Sequence, residues 1–466
     1  MRRGLTLTLL ALAAAALLGL LCALQASPGE TEAASEPAAA PAQAYEMLYT
    51  RSQQDWVSMT ITLSSGERFT VVSDLVFDAA GNLLGVTNTL GQPMLVQGQE
   101  DFALDATSFQ MMLLTAQNIP CTGKYDLDFT ACGLSSPAAR IEIAYRTGAP
   151  ITLTIGHETA SGLSCYVAME GEAAVCLVPA DFRQVMTRTL KEHHALPGAL
   201  TADASTALQI AVADPAAGQL IATHYASDDT ILDWRVESPL THFGDAARIE
   251  AFVAGVCELY AESYVDTVQT TAELAAYGLD NPRRLIVALS DGTIRDIHLG
   301  GDAGGGMVYA RLDRTGDVYL IARQQLAFAE YANLDGLLDR FIALLPLTEV
   351  SSVTVNSSRA SRTLSFRWGE GPQPEVCALD GEEIPRDQAT ALYAQLIGLQ
   401  FDKTAMEAEP SGETAAEMLF ALRDGTQTRL TFHPYDDHYT LVLTDGGGRF
   451  LIRREKVEDM LHMTGG

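Results

Sequence analysis

The stretch YGLDNPRRLIVALSDGTIRDIHLG, residues 277–300, reads as a lead-in followed by a β-hairpin. Leu285 to Leu289 and Ile294 to Leu299 are apolar-rich runs on either side of Asp291-Gly292, and glycine supplies the positive φ that a tight reversal demands. Tyr277, Gly278, Leu279 and Pro282 open the stretch, and Gly300 closes it. Past the glycine-rich run 301–306, Val308 to Leu312 and Val318 to Ile321 predict a second hairpin carrying Tyr309 and Tyr319, and Arg323 to Tyr331 reads as a helix.

The same landmarks recur upstream. Gly133, Leu134 and Pro137 precede Ile141 to Tyr145, a turn at Thr147-Gly148, and Ile151 to Ile155 ending at Gly156. Cys176-Leu177-Val178 stands where Tyr319-Leu320-Ile321 stands, and Cys132 precedes Gly133 as Tyr277 precedes Gly278. Gly133 and Gly278 are a domain's length apart, so the period is that of a duplicated unit rather than a solenoid. A third, degenerate copy has Met418 to Leu422, Asp424-Gly425, Thr428 to Phe432, then Tyr439 to Leu443 and Phe450 to Ile452. There His433 takes the slot of the terminal Gly, and only Pro410 remains of the lead-in.

Upstream of each pair of hairpins lie apolar residues at helical spacing: Phe109, Met112 and Leu113; Ile249, Phe252, Val253, Val256 and Tyr260; Leu392, Tyr393, Leu396 and Leu399. β-rich stretches precede these, at Trp56 to Val72, Leu208 to Val236 and Val350 to Trp368. The expectation is an α+β chain of three related units, 45–197, 198–346 and 347–466, each of antiparallel hairpins packed with one main helix. Nothing in the order of elements asks for parallel crossovers.

Tyr277-Gly278-Leu279, Pro282, the Ser290-Asp291-Gly292 hairpin, Gly300 and the strands holding Tyr309 and Tyr319 together resemble the DUF4340 family of bacterial envelope proteins, whose function is unknown. The resemblance is specific in the second unit, fair in the first and weak in the third. It implies an N-terminal membrane segment and an accessory role beside ABC-type transport components of the gliding-motility class. It assigns no catalytic residue.

Residues 1–26 open with Arg2-Arg3 and then run apolar from Leu5 to Leu24, long enough to cross a hydrocarbon layer of about 30 Å. The segment reads as a signal peptide or a membrane anchor, and the bulky Leu24 near a cleavage site after Ala26 favours an uncleaved anchor. Residues 27–44, rich in Ala, Pro, Glu and Ser, predict a flexible linker. The bulk of the chain is then extracytoplasmic on a single-pass anchor. A formal charge of -29 with no Lys/Arg cluster excludes nucleic acid as a partner.

An extracytoplasmic chain can keep disulfides, and two pairings are candidates. If Glu170-Gly171 were a two-residue hairpin loop, Cys165 would face Cys176; Cys121 and Cys132 are the second pair. Cys257 reads as core, and Cys377 has no evident mate. His193-His194 reads as a helix terminus where a cation meets the dipole. Asp228-Asp229 and the group His433, Asp436, Asp437 and His438 read as solvated turns. The run 300–306 lacks the Gly-Lys-Ser/Thr ending of a phosphate loop, no C-x-x-C or H-E-x-x-H appears, and no cofactor, metal or catalytic residue is expected. The functional expectation is a membrane-anchored structural or interaction protein with a protein partner in the envelope. The alternative is an envelope hydrolase or glycan-binding module with its site between units.

Overall fold

The computed structural model describes residues 46–50, 55–78, 83–88, 91–200, 204–215, 218–224, 233–268, 270–312, 316–358 and 360–463. The expected anchor 1–26, the linker 27–44 and Asp228-Asp229 lie outside the described residues. Among the described residues no helix is long and apolar enough to cross a membrane.

The described chain opens with β1 (Glu46–Thr50), followed by the hairpin of β2 (Trp56–Leu63) and β3 (Arg68–Ser73). β4 (Leu75–Phe77) and β5 (Leu83–Val86) form a small separate pair, and β6 (Met94–Val96) returns to β3. Helix α1 (Ala106–Gln117) leads through β7 (Asn118–Cys121), which pairs with β1, to β8 (Gly123–Tyr125). A meander of β9 (Ala139–Tyr145), β10 (Ile151–Glu158), β11 (Ser164–Met169) and β12 (Val175–Pro179) ends in α2 (Ala180–Met186). The sheet runs β6-β3-β2-β9-β10-β11-β12-β8.

The second sheet takes β13 (Ala207–Asp214), β14 (Gly218–His224), β15 (Trp234–Ser238) and β16 (His242–Phe243). After α3 (Ala246–Glu258) come β17 (Ser263–Thr267), α4 (Thr271–Ala275), β18 (Arg283–Leu289), β19 (Ile294–Gly304), β20 (Met307–Arg311), β21 (Asp317–Ala322) and α5 (Leu334–Leu337). The third has β22 (Val350–Ser357), β23 (Ser361–Trp368), β24 (Pro374–Leu379) and β25 (Glu382–Glu383) before α6 (Arg386–Ile397). β26 (Lys403–Thr404), β27 (Ala416–Leu422), β28 (Gln427–Pro434), β29 (Tyr439–Thr444), β30 (Arg449–Arg453) and α7 (Arg454–Met463) complete it. The two sheets run β16-β15-β14-β13-β18-β19-β20-β21-β17 and β25-β24-β23-β22-β27-β28-β29-β30-β26. They share one strand order, and the first sheet follows it with one strand fewer. The architecture is α+β with antiparallel sheets.

The alternation of side chains explains why each sheet buries one face against its helix. Ala139, Ile141, Ile143 and Tyr145 of β9 are buried, as are Leu285, Val287 and Leu289 of β18 and Ala416, Met418 and Phe420 of β27. The helices present Phe109, Met112 and Leu113, then Ile249, Phe252, Val253 and Val256, then Tyr393 and Leu396. Tyr260 is the exception: α3 ends at Glu258, and Tyr260 is exposed. Asp105 and Asp245 cap the first two helices, accepting backbone N–H groups at 3.0–3.1 Å, whereas Pro385 precedes the third and offers no side-chain acceptor. Most of the buried side chains fall in one large cluster in the first sheet and another that runs continuously through the second and third sheets.

Several expectations need correction. β19 runs on to Gly304 rather than ending at Gly300, whereas Arg323–Tyr331 is helical as expected, with 3-10 geometry. Neither candidate disulfide forms: Cys121, Cys132, Cys165 and Cys176 are free, buried thiols. The connection after Met169 is longer than two residues, so Cys165 pairs with Val178 and Cys176 with Val167. The two cysteines become diagonal neighbours, roughly 7–8 Å apart and outside bridging range. Cys132 packs in a separate small cluster with Leu134 and Val175, while Cys121 lies beside Cys176.

Candidate functional site

The Gly-Leu motif turns out to be a backbone joint. Gly278 has φ +66°, and the carbonyl of Tyr277 accepts a hydrogen bond from Gly301 N at 2.8 Å. A Cβ on Gly300 would meet that carbonyl oxygen at 2.5 Å, so only glycine lets the lead-in lie against the hairpin strand. The first sheet repeats the device: Gly133 has φ +72°, His157 N donates to Cys132 O at 3.0 Å, and a Cβ on Gly156 would meet Cys132 O at 2.1 Å. Leu134 and Leu279 are buried behind these turns, and Tyr277 meets Tyr309 edge-on, their centroids 5.1 Å apart. Asp291 and Gly292 form the reversal itself, Asp291 Oδ1 accepting Thr293 N at 2.8 Å. Pro137 and Pro282 stand just ahead of β9 and β18. Tyr319 is buried, its hydroxyl 3.3 Å from Asp317 Oδ2.

The polar constellation that the structure does assemble lies between the first and second sheets. The short 3-10 turn Leu190–His193 is fixed by a capping box between Thr189 and Glu192, and Leu190 N donates to Glu67 Oε1 at 2.9 Å. Burial pushes the Glu192 carboxyl up, but the Thr189 N–H and hydroxyl outweigh it and hold it below the usual range. From this turn Lys191 reaches across to the second sheet, donating to Val265 O at 2.6 Å and standing 3.9 Å from Asp266.

His194 is buried at the joint. Its ring stacks on Tyr264 with centroids 3.8 Å apart and planes within 2°, and Phe102 meets it edge-on at 4.9 Å. Its Nε2 lies 3.7 Å from Asp317 Oδ2, while Asp317 Oδ1 accepts the Thr267 hydroxyl at 2.5 Å. Tyr264 OH lies 2.8 Å from that same Thr267 oxygen. Burial pushes the Tyr264 phenol up.

Beside this network opens a cleft of about 530 Å³ lined by Glu67, Gln99, Glu100, Asp101, Lys191 and Asp266, among others. Glu67 is engaged with Leu190 N and Glu100 with Gly98 N. Lys191 spans the two sheets, and Thr267 of the cleft wall is engaged with Asp317. Among the described residues no group of three His, Cys, Asp or Glu side chains could hold a metal ion.

His193 corrects the reading of a cationic helix end. It is fully buried against Phe69 and Phe109, and burial pushes its imidazole down to about 4, so it is neutral near pH 7. Asp436, Asp437 and His438 form an exposed turn in which Asp436 Oδ1 accepts the N–H groups of His438 and Tyr439 at 2.8 and 2.7 Å. His433 is buried on β28, its Nε2 3.2 Å from Thr431 Oγ1. Sequence reasoning missed Phe102, Lys191, Tyr264 and Asp317 and took His194 for a helix end, because they come together only across the joint. One signal was available: Asp105 and Asp245 cap α1 and α3, and Phe102 and His242, which face the joints, stand shortly before them.

Residues 234–418, less than half of the chain, match the family described as "Domain of unknown function (DUF4340)". The match begins at β15 and ends in β27, so it spans the junction of the second and third sheets. No curated protein and no solved structure matches the chain.

Proposed function

We propose that this chain, which carries a DUF4340 match at its centre, is a membrane-anchored extracytoplasmic interaction protein of three related α+β units, accessory to an ABC-type envelope transport system. The observation that carries the reading is the common strand order of the three sheets together with helices beginning at equally spaced Ala106, Ala246 and Arg386. Duplicated units that each contact their neighbour extend a surface. The buried pair His194 and Asp317, with Tyr264, is occupied in joining two of them. The anchor follows from the apolar run of residues 5–24 and the linker after it.

Fractionation tests the anchor, and affinity capture from solubilised membranes tests the partner. The full chain should sediment with membranes, a chain lacking residues 1–26 should not, and an envelope transport component should co-purify at fixed stoichiometry. A full chain that stays in the soluble fraction, or that purifies without a stoichiometric companion, removes the reading. A second reading, a hydrolase or glycan-binding module, is favoured by one observation, the acidic cleft of about 530 Å³ between the first two sheets. It requires that Asp101→Asn together with Asp266→Asn abolish binding on a glycan array.

A further inference from the structure

The two joints inside the molecule share a chemistry. At the first, the segment entering the second sheet is held by Ala261 N to Pro197 O at 3.0 Å and Leu200 N to Cys257 O at 2.8 Å. At the second, Phe401 N to Arg340 O and Ile342 N to Leu399 O, both 3.0 Å, do the same. Each joint then brings a cation and an imidazole to the receiving side of the next sheet, on its terminal strand at the first joint and beside it at the second. Lys191 donates to Val265 O of β17 and His194 stacks on Tyr264. Arg340 donates to Asp402 O beside β26 at 2.9 Å, and His242 lies against Phe401 and Phe450 at 6.0 and 5.0 Å.

The first sheet has the same receiving edge. β8 is its terminal strand, as β17 and β26 are of theirs, and β1 crosses β7 with Met47 opposite Pro120 as the entering segments do at the two joints. What differs is coverage. Tyr264, opposite Tyr319, is half-buried under its joint; Lys124, opposite Cys176, stands in that position on β8, and Tyr125, Leu127, Phe129 and Met47 are exposed around it. Acids alternate with these rings at Asp126 and Asp128, as Asp266 follows Tyr264 and Val265.

We propose that the β8 edge, from Lys124 to Phe129, is a third joint face that receives a segment of a separate protein presenting Lys or Arg beside an aromatic or imidazole ring. This deepens the interaction reading and rests on it. A second copy of the chain does not fit. The strand that stands where His242–Phe243 stands is Glu382–Glu383, exposed and acidic, and it would meet Asp126. An anionic lipid surface meets the same objection. The partner is placed near the bilayer, because residues 27–44 span at most about 65 Å when extended.

The test uses the full chain in detergent micelles with Leu127→benzoylphenylalanine, a control with Tyr435→benzoylphenylalanine, and a synthetic peptide alternating Lys and Phe. Irradiation should give a peptide adduct at position 127, several times its yield at 435. Asp126→Lys should lower that yield about fivefold, the worth of a close charge pair at a surface, and a Glu/Phe peptide should give little. Equal labelling at both positions, or indifference to Asp126→Lys, overturns the proposal. So does a lipid adduct in phosphatidylglycerol vesicles, or a chain-to-chain adduct in place of the peptide. If the peptide fails while membrane capture still yields a stoichiometric partner, the face is wrong and the interaction reading stands; if capture fails too, both fall.

Discussion

His193 lies in the first core against Phe69 and Phe109, and neither ring nitrogen meets a hydrogen-bond partner among the described residues. Burial pushes it down to about 4, below the roughly 6.5 of an unfolded chain. Between those values the unfolded state binds the proton and the folded state does not. Stability is therefore unaffected above pH 6.5 and falls as the pH drops toward 4, by at most about 3 kcal/mol. His193→Leu should flatten urea-denaturation midpoints between pH 6.5 and 4.5, and an unchanged slope would count against this account. The thiols give a second prediction. Burial pushes Cys165 up to about 11 and, with the neighbouring Cys121 thiol, Cys176 up to about 12. Maleimide at pH 7.5 should leave both unlabelled in the native protein and label them in guanidinium; native labelling on the same timescale would contradict it. The sequence could not announce either property. His193-His194 reads as a charged helix end, and burial is decided far away in the chain, by Phe69 and Phe109 for His193 and by Phe102 and Tyr264 for His194.

Hairpins and their glycines were the most readable elements, because turn chemistry is local. Gly292 and Gly425 have φ +87° and +89° with open space around them, while Gly300 is constrained by the Tyr277 carbonyl. These are different demands and predict different tolerance. Gly292→Asn should cost no more than about 1 kcal/mol, since Asn visits the left-handed region readily. Gly300→Ala should cost about 3 kcal/mol, because backbone must move to admit the methyl. Equal losses in chemical denaturation would show that the close approach is not what fixes Gly300. The register of β11 against β12 was not readable, because loop length sets it and the two-residue loop at Glu170-Gly171 was the wrong length.

For the whole molecule, the distribution of buried side chains decides cooperativity. The first sheet has its own cluster, Leu48 to Leu190, and the other two share one from Ala207 to Met460. Calorimetry should resolve two transitions, the larger belonging to the shared cluster, and hydrogen exchange should assign the smaller to residues within 46–190; one two-state transition would mean the polar joint at His194 couples all three sheets. The antiparallel hairpins could be read from the turns, but this pairing of cores could not. It depends on residues such as Leu337, Leu338 and Ile342, which look like connector until they are buried.

The continuous cluster also imposes an order in time. A chain emerging residue by residue from its N-terminus can complete the first sheet once Leu190 is out, since every strand of that sheet is then present. The second sheet has all its strands after Ala322, yet its apolar interior stays open until β22 and β27 arrive. Through that interval part of the shared cluster lacks its partners, which leaves apolar surface open to proteases and holdase chaperones, and nearly all of it falls within the stretch that carries the DUF4340 match.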